Sequence, residues 1–301
     1  MKTLFITLSM LSIAFISNGQ GYFRGGGGAG FGVSQDAFAI PSIEADSTGN
    51  YIAQRTIYGS FGQGARFSLA GGYMITPYFG IELELYYMSG FKQEYGNIYG
   101  PGGKQYNRKG YTYQMRATPS LVVQAPVGKF QPFARFGVLI PFYGRTILEE
   151  STYFTSNIDE FKTTEVQGRF SLGFESSIGV EYKLNDNLGI YLNATLTTLR
   201  IKADRADVVS WERIDNNTGE TTDKLSTSSA LFSQIDFTDE LTPNSNTTTL
   251  LSVVGQAEDI LVKIDGTLDA DKALELPTQT SNFNAMTFSV GVRYSFGKKT
   301  E

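Results

Sequence analysis

The last regular stretch of the chain, MTFSVGVRYSF at residues 286–296, constrains the fold more than any other. Met286, Phe288, Val290, Val292, Tyr294 and Phe296 alternate with Thr287, Ser289, Gly291, Arg293 and Ser295. A period of two describes a strand whose two faces meet different surroundings. In a water-soluble sandwich the apolar face would meet a second sheet. In a transmembrane barrel it would meet lipid, with the polar face turned to a hydrated or ion-paired lumen. Taken by itself, the strand leaves both open.

The first residues narrow the choice. Met1 and Lys2 precede the apolar run LFITLSMLSIAFI at 4–16, and Ser17, Asn18 and Gly19 supply a cleavage region before Gln20. Residues 1–19 read as a secretory signal peptide, because the run falls short of the roughly 20 apolar residues that a spanning helix needs. The exported part, 20–301, is expected to be a single domain. It has no cysteine, so it is neither a disulfide scaffold nor a lipoprotein anchored through an N-terminal Cys. No later stretch holds an uninterrupted 18-residue apolar run, which leaves strands as the means of crossing a membrane. Phe 22, Tyr 17 and Gly 33 beside Trp 1 and no His suit a β-barrel, and a net charge of −5 argues against nucleic acid as a partner.

Alternation recurs along the chain. Residues 22–33, YFRGGGGAGFGV, set Phe23, Ala29, Phe31 and Val33 apart from Arg24, with glycine at most sites between. Glycine there permits close backbone approach and curvature. A phosphate-binding loop would need a following Lys-Ser/Thr pair and an amphipathic helix, and neither is present. Residues 61–76 give a second strand bearing Arg66, and GIELELYYM at 80–88 sets Ile81, Leu83, Leu85 and Tyr87 against Glu82, Glu84 and Tyr86. Further strands are expected at 111–124 with Arg116, 132–143 with Arg135, 168–182 with Arg169, Glu175 and Glu181, and 188–197, before the final one at 286–296.

The connections separate barrel from sandwich. They fall at 34–60, 76–79, 92–110, 126–131, 145–167, 184–187 and 202–284, long and short in turn. Tight turns alternating with extended loops are the pattern of antiparallel outer-membrane barrels, and strands of ~10 to 15 residues suffice to cross a bilayer when tilted by ~45°. Sandwich strands are usually nearer ~5 or 6 residues. The expected fold is all-β: an antiparallel up-and-down transmembrane β-barrel of eight strands, with short periplasmic turns, long extracellular loops, and ten strands as the alternative. Residues 208–229, and 250–266 read as further strand or a short helix, would extend the barrel above the membrane or, in the ten-strand case, add two spanning strands.

With its signal peptide, its eight amphipathic strands and a terminal strand ending at Phe296, the chain resembles the eight-stranded outer-membrane β-barrel proteins of Gram-negative bacteria, the OmpA/OmpX-like superfamily. The resemblance covers the strands, about half of the chain. It implies residence in the bacterial outer membrane with lipid and lipopolysaccharide as neighbours. It also implies that Tyr294 and Phe296 form the signal read by the barrel assembly machinery. The tail GKKTE at 297–301 extends past the family's usual end.

Taken together, the polar faces place Arg24, Arg66, Arg116, Arg135, Arg169 and Arg293 with Glu82, Glu84, Glu175 and Glu181 inside the barrel. An eight-stranded barrel is barely wide enough for its own side chains, so these groups are expected to meet across the lumen as charge-assisted pairs. They would form a structural plug or, alternatively, a gated ion path. Without His or Cys the chain cannot build a Ser-His-Asp triad, a Cys-His dyad or a usual zinc site. No enzymatic activity, cofactor or metal is therefore expected.

Residues 202–284 hold 15 Asp and Glu against 6 Lys and Arg, which puts most of the acidity in this connection. VVSWERIDNNTGETTDKLSTSS at 208–229 reads as a hairpin around NNTG. Asp265, Asp269 and Asp271 do not match the spacing of a Ca²⁺ loop, and a solvated acidic surface accounts for them. Loops on a rigid scaffold carry variable binding functions. The expected role is that of a non-enzymatic envelope protein contacting an unidentified surface ligand through these loops, with a narrow pore or transporter for small or hydrophobic solutes as the alternative.

Overall fold

Alternation decides the architecture because each strand can satisfy two solvents at once. In the computed structural model, which describes residues 20–33, 42–45, 51–100, 103–154, 157–242, 244–247, 251–253, 260–262 and 268–296, eight strands close into an antiparallel barrel. They are β1 (Gln20–Gly32), β2 (Gly64–Met74), β3 (Phe79–Gly90), β4 (Gly103–Gln124), β5 (Phe130–Phe154), β6 (Gly173–Lys183), β7 (Leu188–Thr198) and β8 (Ala285–Phe296). Each pairs with its sequence neighbour, and β8 returns to β1 with Gly21 opposite Phe296 and Gly32 opposite Ala285. The signal peptide at 1–19, Asp265 and the tail at 297–301 lie outside the described residues.

The outward faces carry the oily side chains. Leu83 is 50% exposed, Phe174 71% and Val290 57%. Water would not tolerate an apolar belt running round the whole barrel, whereas hydrocarbon would. Inward, glycine makes room where large side chains must fit. A Cβ on Gly26 would lie 2.2 Å from the Tyr191 hydroxyl and one on Gly291 would lie 2.4 Å from it, so the glycine pair across the β1–β8 seam accommodates that buried ring. Among the described residues no helix is long and apolar enough to cross a membrane.

Two expected loops are largely strand. β4 spans 22 residues and β5 spans 25, so both continue past the barrel. Gln93–Gly100 folds back on the start of β4, and Ile158–Gly168 bridges the end of β5 to Arg200–Asp215. That last strand turns through Asn216–Gly219 into Glu220–Asp223, the expected NNTG hairpin, with Gly219 at φ 75. Gln234–Thr238, Leu274–Pro277 and Thr280–Asn282 complete the raised sheet. Backbone donors leaving the membrane are thereby paired rather than left to a structureless loop. Among the described residues the two short strands within 250–266, Leu251–Val253 and Ile260–Val262, pair only with each other. The ten-strand alternative is set aside, and the barrel has eight strands.

Candidate functional site

Side chains from seven of the eight strands interlock along the lumen. At the short-turn end, the Arg293 Nη1 donates to Glu181 Oε2 at 2.8 Å and to Gln124 Oε1 at 2.9 Å, with its guanidinium 3.7 Å from the Tyr22 ring centre. The Tyr22 hydroxyl donates to Glu82 Oε2 at 2.9 Å, and Glu82 Oε1 accepts from Arg24 at 2.8 Å and Arg135 at 3.0 Å. One oxygen of Glu84, Oε2, then meets three guanidiniums: Arg24 at 3.2 Å, Arg66 at 3.1 Å and Arg135 at 3.0 Å. Arg66 continues to Glu175 Oε1 at 2.7 Å, while the Tyr86 hydroxyl donates to Glu175 Oε2 at 3.1 Å. All of these side chains are buried. The cavity among Arg24, Glu82, Arg135, Glu181 and Arg293 measures about 20 Å³, room for about one water.

Arg116 occupies the far end of this column and differs from the rest. It is 2% exposed, donates Nε to Gln114 at 2.7 Å and Nη1 to Tyr86 at 3.3 Å, and leaves Nη2 without a partner. Among the described residues the lumen thus holds five arginines against four glutamates, with Arg116 the one lacking a carboxylate.

Arg169 was expected in the lumen and is not there. Strand β6 begins at Gly173, and the residue before the barrel wall turns outward: Arg169 reaches Asp204 at 3.3 Å and Asp239 at 3.0 Å in the raised sheet. Alternation counted from residue 168 put it on an inner face. The reason it fails is that 169–172 belong to no strand, so the period of two does not extend through them.

Above Arg116 the lumen ends in an apolar cap that sequence reading missed. Phe61 and Phe283 pack at 5.9 Å against Met88, Leu139, Leu199 and Ile201. The cap is pinned by Ser60, whose hydroxyl donates to the Asn284 carbonyl at 2.7 Å, and by backbone bonds from Phe61 to Asn282 and from Phe283 to Leu199, both at 2.9 Å. Phe283 fell in the expected 202–284 connection and Phe61 at the very edge of the expected 61–76 strand, where periodicity marks no face, so only their contacts reveal the cap.

The wall itself opens beside the cap. The β5–β6 ladder stops at Leu139 opposite Gly173. Beyond it, Pro141 has no donor to offer, and Phe142 is an extra residue: Met115 faces Tyr143 while Arg116 faces Pro141. Gly144 follows at φ 157, where a Cβ would lie 2.5 Å from Gln114 Cγ and from the Tyr113 carbonyl. The resulting cavity, about 530 Å³, is bounded by Pro141, Phe142, Arg145, Phe170 and Lys202, with Gln114 and Phe283 also in its lining. Phe142 and Phe170 are exposed at its mouth.

Among the described residues no group of His, Cys, Asp and Glu could hold a metal ion. Asp269 instead accepts the Asp271 backbone N–H at 3.0 Å and pairs with Lys272 at 3.2 Å. Asn246 is buried. Its amide donates to the carbonyls of Asp269, Lys272 and Ala273 and accepts from the Asp269 N–H.

Tyr294, in the C-terminal strand, is exposed on the outer face, and Phe296 packs on Phe23 at 5.4 Å between ring centres.

The chain is similar in overall architecture to solved outer-membrane proteins. OprG from Pseudomonas aeruginosa is 13% identical, with 94% of this chain and 98% of that chain covered and a TM-score of 0.41. Outer membrane protein W of E. coli is 11% identical, with 93% and 99% covered and a TM-score of 0.35. Ail of Yersinia pestis is 9% identical, with 93% and 99% covered and a TM-score of 0.34. No curated protein matches the chain in sequence at a significant level. A family model described as the outer membrane protein beta-barrel domain matches residues 4–232. The chain therefore belongs to the outer-membrane β-barrel domain family, proteins of the bacterial outer membrane.

Proposed function

We propose that this is a non-enzymatic envelope protein whose barrel is a closed anchor and whose raised sheet makes contacts outside the cell. The observation that carries the reading is the length of β4 and β5. At 22 and 25 residues they are about twice the ~9–11 that a spanning strand needs, and they continue straight into the sheet above. A binding surface is thus held rigidly on the membrane anchor. Removal of a signal peptide at 1–19, delivery by the barrel assembly machinery through Tyr294 and Phe296, lipopolysaccharide at the rim and an unidentified surface ligand are the partners and steps this reading entails. A lumen filled by ion pairs below and by Phe61 and Phe283 above favours an anchor over an axial pore.

Two measurements test it. Planar-bilayer recording of the refolded protein is expected to be silent or to show rare, small openings, and a steady conductance altered by Glu175→Ala would overturn the closed-anchor reading. A cysteine placed at Asn217, in the exposed hairpin turn, should be labelled by an impermeant thiol reagent on intact cells. Labelling only after lysis would place the sheet on the wrong side.

A second reading has an observation of its own. The 530 Å³ opening beside β5 supports a lateral route for hydrophobic solutes between the outside and the bilayer.

A further inference from the structure

We propose that the opening in the barrel wall binds a single-chain anionic amphiphile, its head drawn to Arg145 and Arg116 and its alkyl tail crossing Phe142 and Phe170 toward lipid. The proposal rests on the wall-opening reading and adds the charge and class of the occupant. Its lining carries Arg145, Arg169 and Lys202 and no Asp or Glu. Arg169 and Lys202 are matched by Asp204 and Asp239 in the raised sheet. Arg145 is not: its Nη1 donates to the Gly144 carbonyl at 2.9 Å, and among the described residues no carboxylate lies within ion-pair distance.

The second unmatched cation stands directly behind the lining. Arg116 is bonded through Nε to Gln114, which lines the cavity, and its guanidinium carbon lies 5.8 Å from the ring centre of Phe283, which lines it too. A buried guanidinium with an unused Nη2 and no carboxylate is expensive in a dry wall, and an arriving anion would relieve it. Gln114 and Gly144 face each other across the β4–β5 ladder, as do Tyr113 and Arg145, so Arg116 and Arg145 lie on neighbouring strands on either side of the bulge. The exposed rings at the mouth favour a tail, and a volume of about 530 Å³ lies within the ~300–1,000 Å³ of pockets for small ligands.

The test uses the full chain in a maltoside detergent, with bound decanoate and 1-decanol counted by native mass spectrometry. Both probes carry the same chain length, and only one carries charge. Decanoate is expected to bind at least ~tenfold more tightly than 1-decanol, as one charge-assisted hydrogen bond in a dry site would give. Arg145→Gln should remove about that tenfold while leaving 1-decanol unchanged, and Arg145→Lys should keep most of the affinity. Heat-modifiable migration verifies that each variant is folded. Equal binding of the two probes would overturn the anionic assignment and leave the lateral route standing. Absence of binding by both would overturn both. Tight decanoate binding that neither Arg145→Gln nor Arg116→Gln weakens would place the site elsewhere and defeat the proposal.

Discussion

Two arginines in the same lumen should respond oppositely to the same substitution. Arg135 Nη1 donates to Glu82 Oε1 and Glu84 Oε2, both at 3.0 Å, and Nη2 donates to Ser177 at 2.9 Å. Replacing it by glutamine leaves two adjacent buried carboxylates with Arg24 and Arg66 as their remaining cations and the Tyr22 hydroxyl on Glu82. Breaking a buried pair by removing one partner costs roughly 3–5 kcal/mol. Because Arg24 and Arg66 remain, the lower figure is expected, about 3 kcal/mol, or roughly a hundredfold in the folding equilibrium. Arg116 supports no carboxylate, and Arg116→Gln takes the lumen from five cations against four anions to four against four. It gives up hydrogen bonds to Gln114 and Tyr86 but relieves an unmatched charge, so stability should change by less than about 1 kcal/mol or rise. Urea unfolding in lipid vesicles, followed by tyrosine fluorescence and heat-modifiable migration, measures both. If Arg116→Gln destabilises as much as Arg135→Gln, the pairing account of the lumen is refuted.

Three further outcomes are expected. Val290→Arg, on the outer face midway along β8, should cost about 2–4 kcal/mol in the same vesicle assay if it faces hydrocarbon, and almost nothing if it faces water. Phe61→Ala removes half of the paired rings at the lumen's end and should cost about 3 kcal/mol, yet recordings should stay silent because the ion pairs below still fill the bore. Asn246→Ala strands several backbone groups of 268–273, and hydrogen exchange there should accelerate by about tenfold or more while the barrel amides stay protected.

The membrane-embedded part was legible in the sequence because burial there is governed by one rule. Each of the strands carrying Leu83, Phe174 or Val290 faces lipid with alternate residues, so a period of two points straight to the geometry. The same rule placed Glu82, Glu84, Arg66 and Arg135 on inner faces, although not which carboxylate each arginine would take. That depends on side-chain reach across the bore, and Glu84 Oε2 receiving three guanidiniums has no signature along the chain. Outside the membrane the rule lapses. The raised continuation of β4 and β5 is half-buried on irregular faces, so its strands at 103–110 and 144–154 looked like polar loop. The expected strand 132–143 ran straight through Pro141, and only the register shows that Pro141 and Gly144 interrupt the wall.

The seam between the first and last strands sets the order of events in assembly. Gly21 meets Phe296 and Gly32 meets Ala285, so the cylinder's final ladder joins segments more than 250 positions apart. No intermediate length of polypeptide can complete the ring, because the closing ladder needs residue 285 and its successors. Gly25, Gly26, Gly27 and Gly28 offer little side-chain grip of their own, so the seam is held chiefly by its backbone ladder.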